Sequence, residues 1–313
     1  MILNGLRKTQ RRPASRAGRR NGGPKTARAH PPRRTAGPAL GRAGVVSAPP
    51  QFLAPGVACQ DVLTALRREQ KDLQDALFEA NRVQRKLCAP RELRRGAFEM
   101  AGEMFAVRQL SGDFFKILDL GASVGFAVGD VAGKGIAAGM WLTHLVGLVR
   151  CHLERHEDLA TTMSEVNSGL CALVSEPPLA ALFLCRLELQ TGELLYCNAG
   201  QPDALLLRRG GSIEALQAGG PMLGAVPNAA FEIGRAALAA GDTLVACSDG
   251  AVECRNARDE EFGAKRLADA AAAAGIGSAS QILFSTLGAV LDFANGRPVA
   301  DDLTLLVLHR RLS

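Results

Sequence analysis

The feature that most restricts how this chain can fold lies in residues 111–138, SGDFFKILDLGASVGFAVGDVAGKGIAA. Two short apolar strands there each deliver an aspartate to a glycine-flanked turn. Asp113 precedes the apolar stretch 114–118, and Asp130 follows the run 124–128 and opens the turn that ends at Gly135. A carboxylate at the end of a buried strand is costly unless it is paired or holds a metal. Neighbouring glycines let the backbone approach an ion or a phosphate closely. Two further acidic turns stand far downstream, Ser248-Asp249-Gly250 and Ala300-Asp301-Asp302-Leu303-Thr304. A fold that satisfies all four must gather several strand ends in one place, and convergence on a pair of divalent cations is the expectation.

The pattern around these turns narrows the architecture. Period-2 or continuous apolar runs predict strands over 98–107, 114–118, 124–128, 182–189, 194–197, 204–208, 231–238, 243–247 and 303–309. Helical patterns fall in two adjacent pairs, 135–156 with 159–174 and 263–274 with 280–294. Strands in runs and helices in pairs argue for α+β layers and against a doubly wound parallel sheet. The expected fold is a four-layer α-β-β-α sandwich: two antiparallel sheets face to face, each covered outside by a helix pair. A coiled-coil helix is expected ahead of it. Leu63, Leu66, Leu73, Leu77, Ala80 and Leu87 fall on alternating a and d heptad places, with Gln70 and Gln84 at two a places. That narrow seam suits a parallel homodimer, or packing of the helix on its own domain.

Charge divides the chain. Residues 1–50 hold twelve of the 37 Lys and Arg and none of the 31 Asp and Glu, so the overall +6 conceals a body of net −6. The stretch 1–56 is aperiodic and rich in Arg, Pro, Gly and Ala, and is expected to be disordered. It reads as a solvated tail or an upstream start, as an electrostatic arm for acidic partners, or as a transit peptide. It lacks the interleaved aromatics of a base-stacking surface, which argues against nucleic acid. Eight cysteines without a C-x-x-C pair point to buried thiols in a reducing compartment and away from zinc. The longest apolar run, 124–149, contains Asp130, Lys134 and His144, so no membrane span is expected and a cytoplasmic location is.

Asp-only ligation without nearby His or Cys suits hard cations such as Mg²⁺ or Mn²⁺. Two such ions about 4 Å apart activate a bridging water and clamp a phosphoryl group for in-line attack. The competing reading makes each aspartate a turn or N-cap residue.

The order of motifs resembles the PPM-type metal-dependent protein phosphatases, in particular their bacterial SpoIIE-like branch. Ala80-x-x-Val83-Gln84-x-x-Leu87-x-x-Pro90 resembles the linker helix entering that domain. Ser111-Gly112-Asp113-Phe114-Phe115 resembles its Gly-Gly-Asp-Phe-Tyr element, and Gly129-Asp130-Val131-Ala132-Gly133-Lys134-Gly135 its most diagnostic motif. Asn198-Ala199-Gly200, Ser248-Asp249-Gly250-Ala251-Val252-Glu253, residues 263–267 and Asp301-Asp302-Leu303-Thr304 complete the series. The resemblance implies a two-metal site with Mn²⁺ or Mg²⁺. Asp130 would bridge both ions beside the Val131 carbonyl, and Asp249 and Asp301 would hold one from the opposite sheet. Asp113 would be a ligand or an acceptor for metal-bound water, and Asp302 stands behind Asp301. Asp130, Asp249 and Asp113 are thus the candidate catalytic residues. Gly112, Gly133 and Gly250 would keep the turns open, and Lys134 could meet the phosphate.

The activity implied is hydrolysis of phosphoserine or phosphothreonine by a metal-activated water, on a phosphorylated regulator of the anti-sigma-factor antagonist type. The division implied is a basic tail over 1–56, a linker helix over 57–92 and a phosphatase domain over 93–313. Three departures stand out: Ser111 replaces the first Gly of Gly-Gly-Asp, Lys116 an Asp, and Gln201 the His after Asn-Ala-Gly. Lys116, as a lost polar partner near the site, and Gln201 support the alternative, a catalytically inactive regulatory binding module of the same fold. The Glu of a diguanylate cyclase signature and the spacing of a P-loop are both absent.

Overall fold

A computed structural model describes residues 59–275 and 277–312. The expected disordered tail, 1–56, lies outside the described residues, as does the beginning of the 57–92 linker. Helix α1 (Cys59–Leu87) leads into β1 (Glu92–Arg95), β2 (Phe98–Phe105), β3 (Asp113–Asp119) and β4 (Ser123–Val131). The pair α2 (Ile136–Arg155) and α3 (Leu159–Cys171) comes next, followed by β5 (Ala180–Glu188), β6 (Glu193–Ala199) and β7 (Ala204–Leu207). Then follow β8 (Ile213–Leu216), β9 (Gly234–Ala237), β10 (Thr243–Cys247) and the one-turn α4 (Asp249–Val252). The second pair, α5 (Gly263–Ala273) and α6 (Ala279–Ala294), precedes β11 (Leu303–Arg310).

The strands form two antiparallel sheets, ordered β1-β2-β11-β10-β7-β8 and β3-β4-β5-β6-β9. Helices α2 and α3 cover the five-stranded sheet, and α5 and α6 the six-stranded one. Alternation along the strands shows why this is stable. Leu244 and Ala246 of β10, with Leu306 and Leu308 of β11, join the core between the sheets. Val245 and Cys247, with Leu305 and Val307, face the opposite way and pack under α5 and α6. Both faces are buried, so these strands read as unbroken apolar runs, and each fully buried Leu or Val contributes about 1.5–3 kcal/mol.

The helices begin and end on local chemistry. Asp158 caps α3 by accepting from the Thr161 amide at 2.8 Å. Ser278 and Gln281 form a reciprocal capping box at the start of α6, which ends on Asn295 in the left-handed region at φ 48°. Helix α2 is long and apolar enough by composition to cross a membrane. Its Leu142, Leu145, Val149 and Leu153 are buried in the core of the sandwich.

Four local features differ from the sequence expectation. Strands β1 and β8 and helix α4 were not predicted. The first two are short, largely exposed edge pieces without period-2 apolarity. The stretch 231–238 pairs only over Gly234–Ala237. The heptad seam of α1 is shared out: Leu63, Leu66 and Leu73 are exposed, while Gln84 is buried on the chain's own sandwich. Gln84 therefore does not lie in an open coil seam. Finally, Lys116 is no polar partner missing from the acidic turns. It is buried, and its ammonium donates to the carbonyls of Leu87 and Ala89, both at 2.6 Å. The charge thus closes the C-terminal end of α1, where free carbonyls and the helix dipole favour a cation.

Candidate metal centre

The sandwich brings all four acidic turns to one end. Asp113 opens β3 and Asp130 lies near the end of β4, and the two stand directly opposite each other in the β3–β4 register. In the other sheet, Asp249 follows β10 as the first residue of α4, and Asp301 and Asp302 precede β11. Because β10 and β11 are antiparallel neighbours, the end of one lies beside the start of the other.

Buried hydroxyls join the two sheets. The Thr304 hydroxyl donates to Asp113 Oδ2 at 2.8 Å, and the Thr304 amide donates to Ser248 Oγ at 3.0 Å. Two glycines make the approach possible. A Cβ on Gly112 would lie 2.8 Å from the Val131 carbonyl oxygen and 3.1 Å from Asp130 Oδ1. A Cβ on Gly250 would lie only 2.0 Å from the Asp302 carbonyl oxygen. Side chains at these places would collide with the candidate ligands' own backbone.

Crowded charge marks the site. Burial, and then the Asp249 charge, push the Asp130 carboxyl up to about 6. Burial also raises Asp249, with Asp301 adding to the effect. Asp113 is raised well above the usual carboxylate range, first by burial and then by the Asp130 charge, against hydrogen bonds from Ser248 and Thr304. The Asp130 charge thus raises the proton affinity of the carboxyl that faces it. Lys134 donates to Asp301 Oδ2 at 2.8 Å, and this contact raises its own proton affinity.

These residues fit a hard divalent cation. The donors are oxygens alone, and the carboxylates repel one another. Among the described residues, no three His, Cys, Asp or Glu side chains form a ready-made cage for an ion. A cleft of about 120 Å³ opens here, lined among others by Arg108, Gly112, Asp130, Lys134, Asp301 and Asp302.

Each candidate can now be placed. Asp130, Asp249 and Asp301 feel one another's charge, and Asp130 and Asp301 line the cleft. The Val131 carbonyl lies against Gly112, and the Val131 amide donates to Gly112 O at 3.1 Å. Asp113 is buried and faces Thr304. Asp302 is committed elsewhere: Oδ1 accepts from the Val107 amide at 2.8 Å, and Oδ2 from Ser111 Oγ at 2.5 Å and the Gly112 amide at 3.2 Å. Gln201 closes its turn, with its amide on Asn198 Oδ1 at 2.9 Å and its side chain on the Ala181 carbonyl at 3.3 Å. Sequence reasoning assigned no role to Ser248, Thr304, Arg108 or the Ser111 hydroxyl. A hydroxyl beside an acidic turn was the available signal for the first two.

Comparison with known proteins shows the family and the fold. Residues 121–311 match the family model described as Stage II sporulation protein E (SpoIIE), and the chain belongs to that family. It is 25% identical over 231 residues to Protein IcfG of Synechocystis, covering 65% of this chain and 36% of IcfG. It is 24% identical over 264 residues to the phosphoserine phosphatase RsbU of Bacillus subtilis, covering 82% of this chain and 76% of RsbU. Among solved structures, the RsbU and RsbW domains of Rv1364c from Mycobacterium tuberculosis superpose with a TM-score of 0.61 at 26% identity, over 68% of this chain and 60% of that one. The chain thus spans about a third of IcfG and less than two thirds of the Rv1364c chain.

Proposed function

We propose that this chain is a metal-dependent protein serine/threonine phosphatase acting on a phosphorylated regulator of the anti-sigma-factor antagonist type, in the cytoplasm. The observation that supports it most is the meeting of Asp130 from one sheet with Asp249 and Asp301 from the other, so close that burial and mutual charge raise the proton affinity of Asp130 and Asp249. Asp130, Asp249, Asp301 and the Val131 carbonyl would hold Mn²⁺ or Mg²⁺, two ions in this reading. The ions supply Lewis acidity and an activated water at neutral pH. Asp113, held by the Thr304 hydroxyl, stands opposite Asp130 across the β3–β4 pair and backs it from the buried side. Arg108 and Lys134 line the same cleft and offer positive charge to a phosphoryl group. Lys116 and Gln201 serve α1 and the Asn198 turn, so neither departure removes a carboxylate from the site. The active enzyme is therefore preferred to the binding module.

The full chain should hydrolyse a generic aryl phosphate with Mn²⁺ or Mg²⁺ and stop in EDTA. Turnover that persists in EDTA, or no turnover despite bound metal and an intact fold, would count against the proposal. A homodimer through α1 belongs to the same reading, restricted to the seam that remains open at Leu63, Leu66 and Leu73. Leu66→Glu combined with Leu73→Glu should convert a dimer to a monomer in analytical ultracentrifugation. A wild-type chain already monomeric at tens of micromolar sinks the dimer.

A further inference from the structure

We infer that the Ser111 hydroxyl, at a place where the resembled family carries glycine, is a positioning residue that shapes the metal centre of this chain through Asp302. The inference rests on the metal-dependent reading above. Ser111 is fully buried and engaged on every side. Its Oγ donates to Asp302 Oδ2 at 2.5 Å and accepts from the Asp113 amide at 2.9 Å. Gln84 of α1, itself buried, holds the Ser111 backbone reciprocally, donating to its carbonyl at 2.8 Å and accepting from its amide at 3.1 Å. The hydroxyl is thereby fixed between one aspartate from each sheet.

The result is a division of labour between adjacent carboxylates. Asp302 receives three donors, from Ser111, Gly112 and Val107, and ties the 107–112 loop to the turn before β11. Asp301, next to it, keeps its side chain in the cleft with Lys134. Gly112, whose amide donates to the same Asp302 oxygen, is the place where an added Cβ would come within 3.1 Å of Asp130 Oδ1 and 2.8 Å of the Val131 carbonyl. A glycine at 111 would leave that oxygen with the long Gly112 contact alone, and the turn facing Asp130 would lose its shortest tether.

The test is Mn²⁺ titration of the full chain by calorimetry, with melting temperature recorded alongside. Ser111→Gly introduces the residue the family motif uses, so the fold accommodates it, and Ser111→Ala removes the hydroxyl alone. Both should weaken Mn²⁺ binding about tenfold, the scale of one hydrogen bond to a charged group. Melting should fall only by the few degrees that the loss of one hydrogen bond brings. In an Asp302→Ala background, Ser111→Gly should cost less than twofold, because the two act as one unit. Wild-type affinity in Ser111→Gly overturns the inference, as does a tenfold loss undiminished in the Asp302→Ala background. So does a loss matched by general destabilisation. A wild-type chain that binds no Mn²⁺ overturns the metal reading itself, which separates the two failures.

Discussion

Asp130→Asn should abolish metal-dependent hydrolysis and at the same time raise the melting temperature of the metal-free protein near neutral pH. Both follow from one property. Burial and the Asp249 charge push the Asp130 carboxyl up to about 6 from its ordinary value of 3.8. Between those values the folded chain holds a proton that the unfolded chain has released, so this group's contribution to stability falls as pH rises through that window. Above it the full cost of a crowded carboxylate remains. Asparagine removes the charge and keeps the shape of the side chain. In EDTA, the variant should therefore melt several degrees above wild type at pH 7.5, the difference vanishing toward pH 4. With metal, turnover should fall by about three orders of magnitude or more, the scale on which electrostatic stabilisation of a transition state is lost. A variant that melts lower than wild type at pH 7.5, or keeps more than a tenth of its turnover, contradicts the placement of Asp130.

Gly250→Ala should be nearly as damaging by a different route. Its Cβ would enter to 2.0 Å from the Asp302 carbonyl oxygen and 3.4 Å from that of Asp301. Backbone cannot swing aside as a flexible side chain can, so the turn carrying both aspartates must shift. The strain should cost about 1–3 kcal/mol of stability. Displacing Asp301 relative to Asp249 should reduce Mn²⁺ affinity and turnover together. Denaturant melts and Mn²⁺ titration of the folded variant measure the two losses, and an alanine variant with wild-type affinity would show that the close approach carries no function.

The sequence made the large design legible because burial writes itself into composition. Strands such as β10 and β11 are covered on both faces, so 243–247 and 303–309 read as unbroken apolar runs, and the grouping of helices in pairs gave the layers. The acidic turns were legible for a related reason: Asp130 and Asp249 are anomalous next to such runs. What stayed hidden depends on partners distant in sequence. The same heptad pattern places Leu66 in the open and Gln84 on the sandwich, because period alone does not name the surface a helix meets. Lys116 was read as a loss near the site, but its partners are backbone carbonyls at the end of α1, which side-chain identity does not advertise. The Ser111 hydroxyl meets a carboxylate 191 positions away. Strands β1 and β8 left little trace because exposed edges need no alternation.

The strand order of the larger sheet carries a consequence for how this centre comes into being. β11 is the last described strand in the chain, yet it lies in the middle of its sheet, between β2 and β10. Until it inserts, that sheet consists of two unconnected ribbons, β1-β2 on one side and β10-β7-β8 on the other. The segment that joins them also brings Asp301, Asp302 and Thr304 to Asp113. During synthesis, then, the elements bearing Asp113, Asp130 and Asp249 all emerge before the strand that can assemble them. The topology itself withholds the candidate ion site from an unfinished chain.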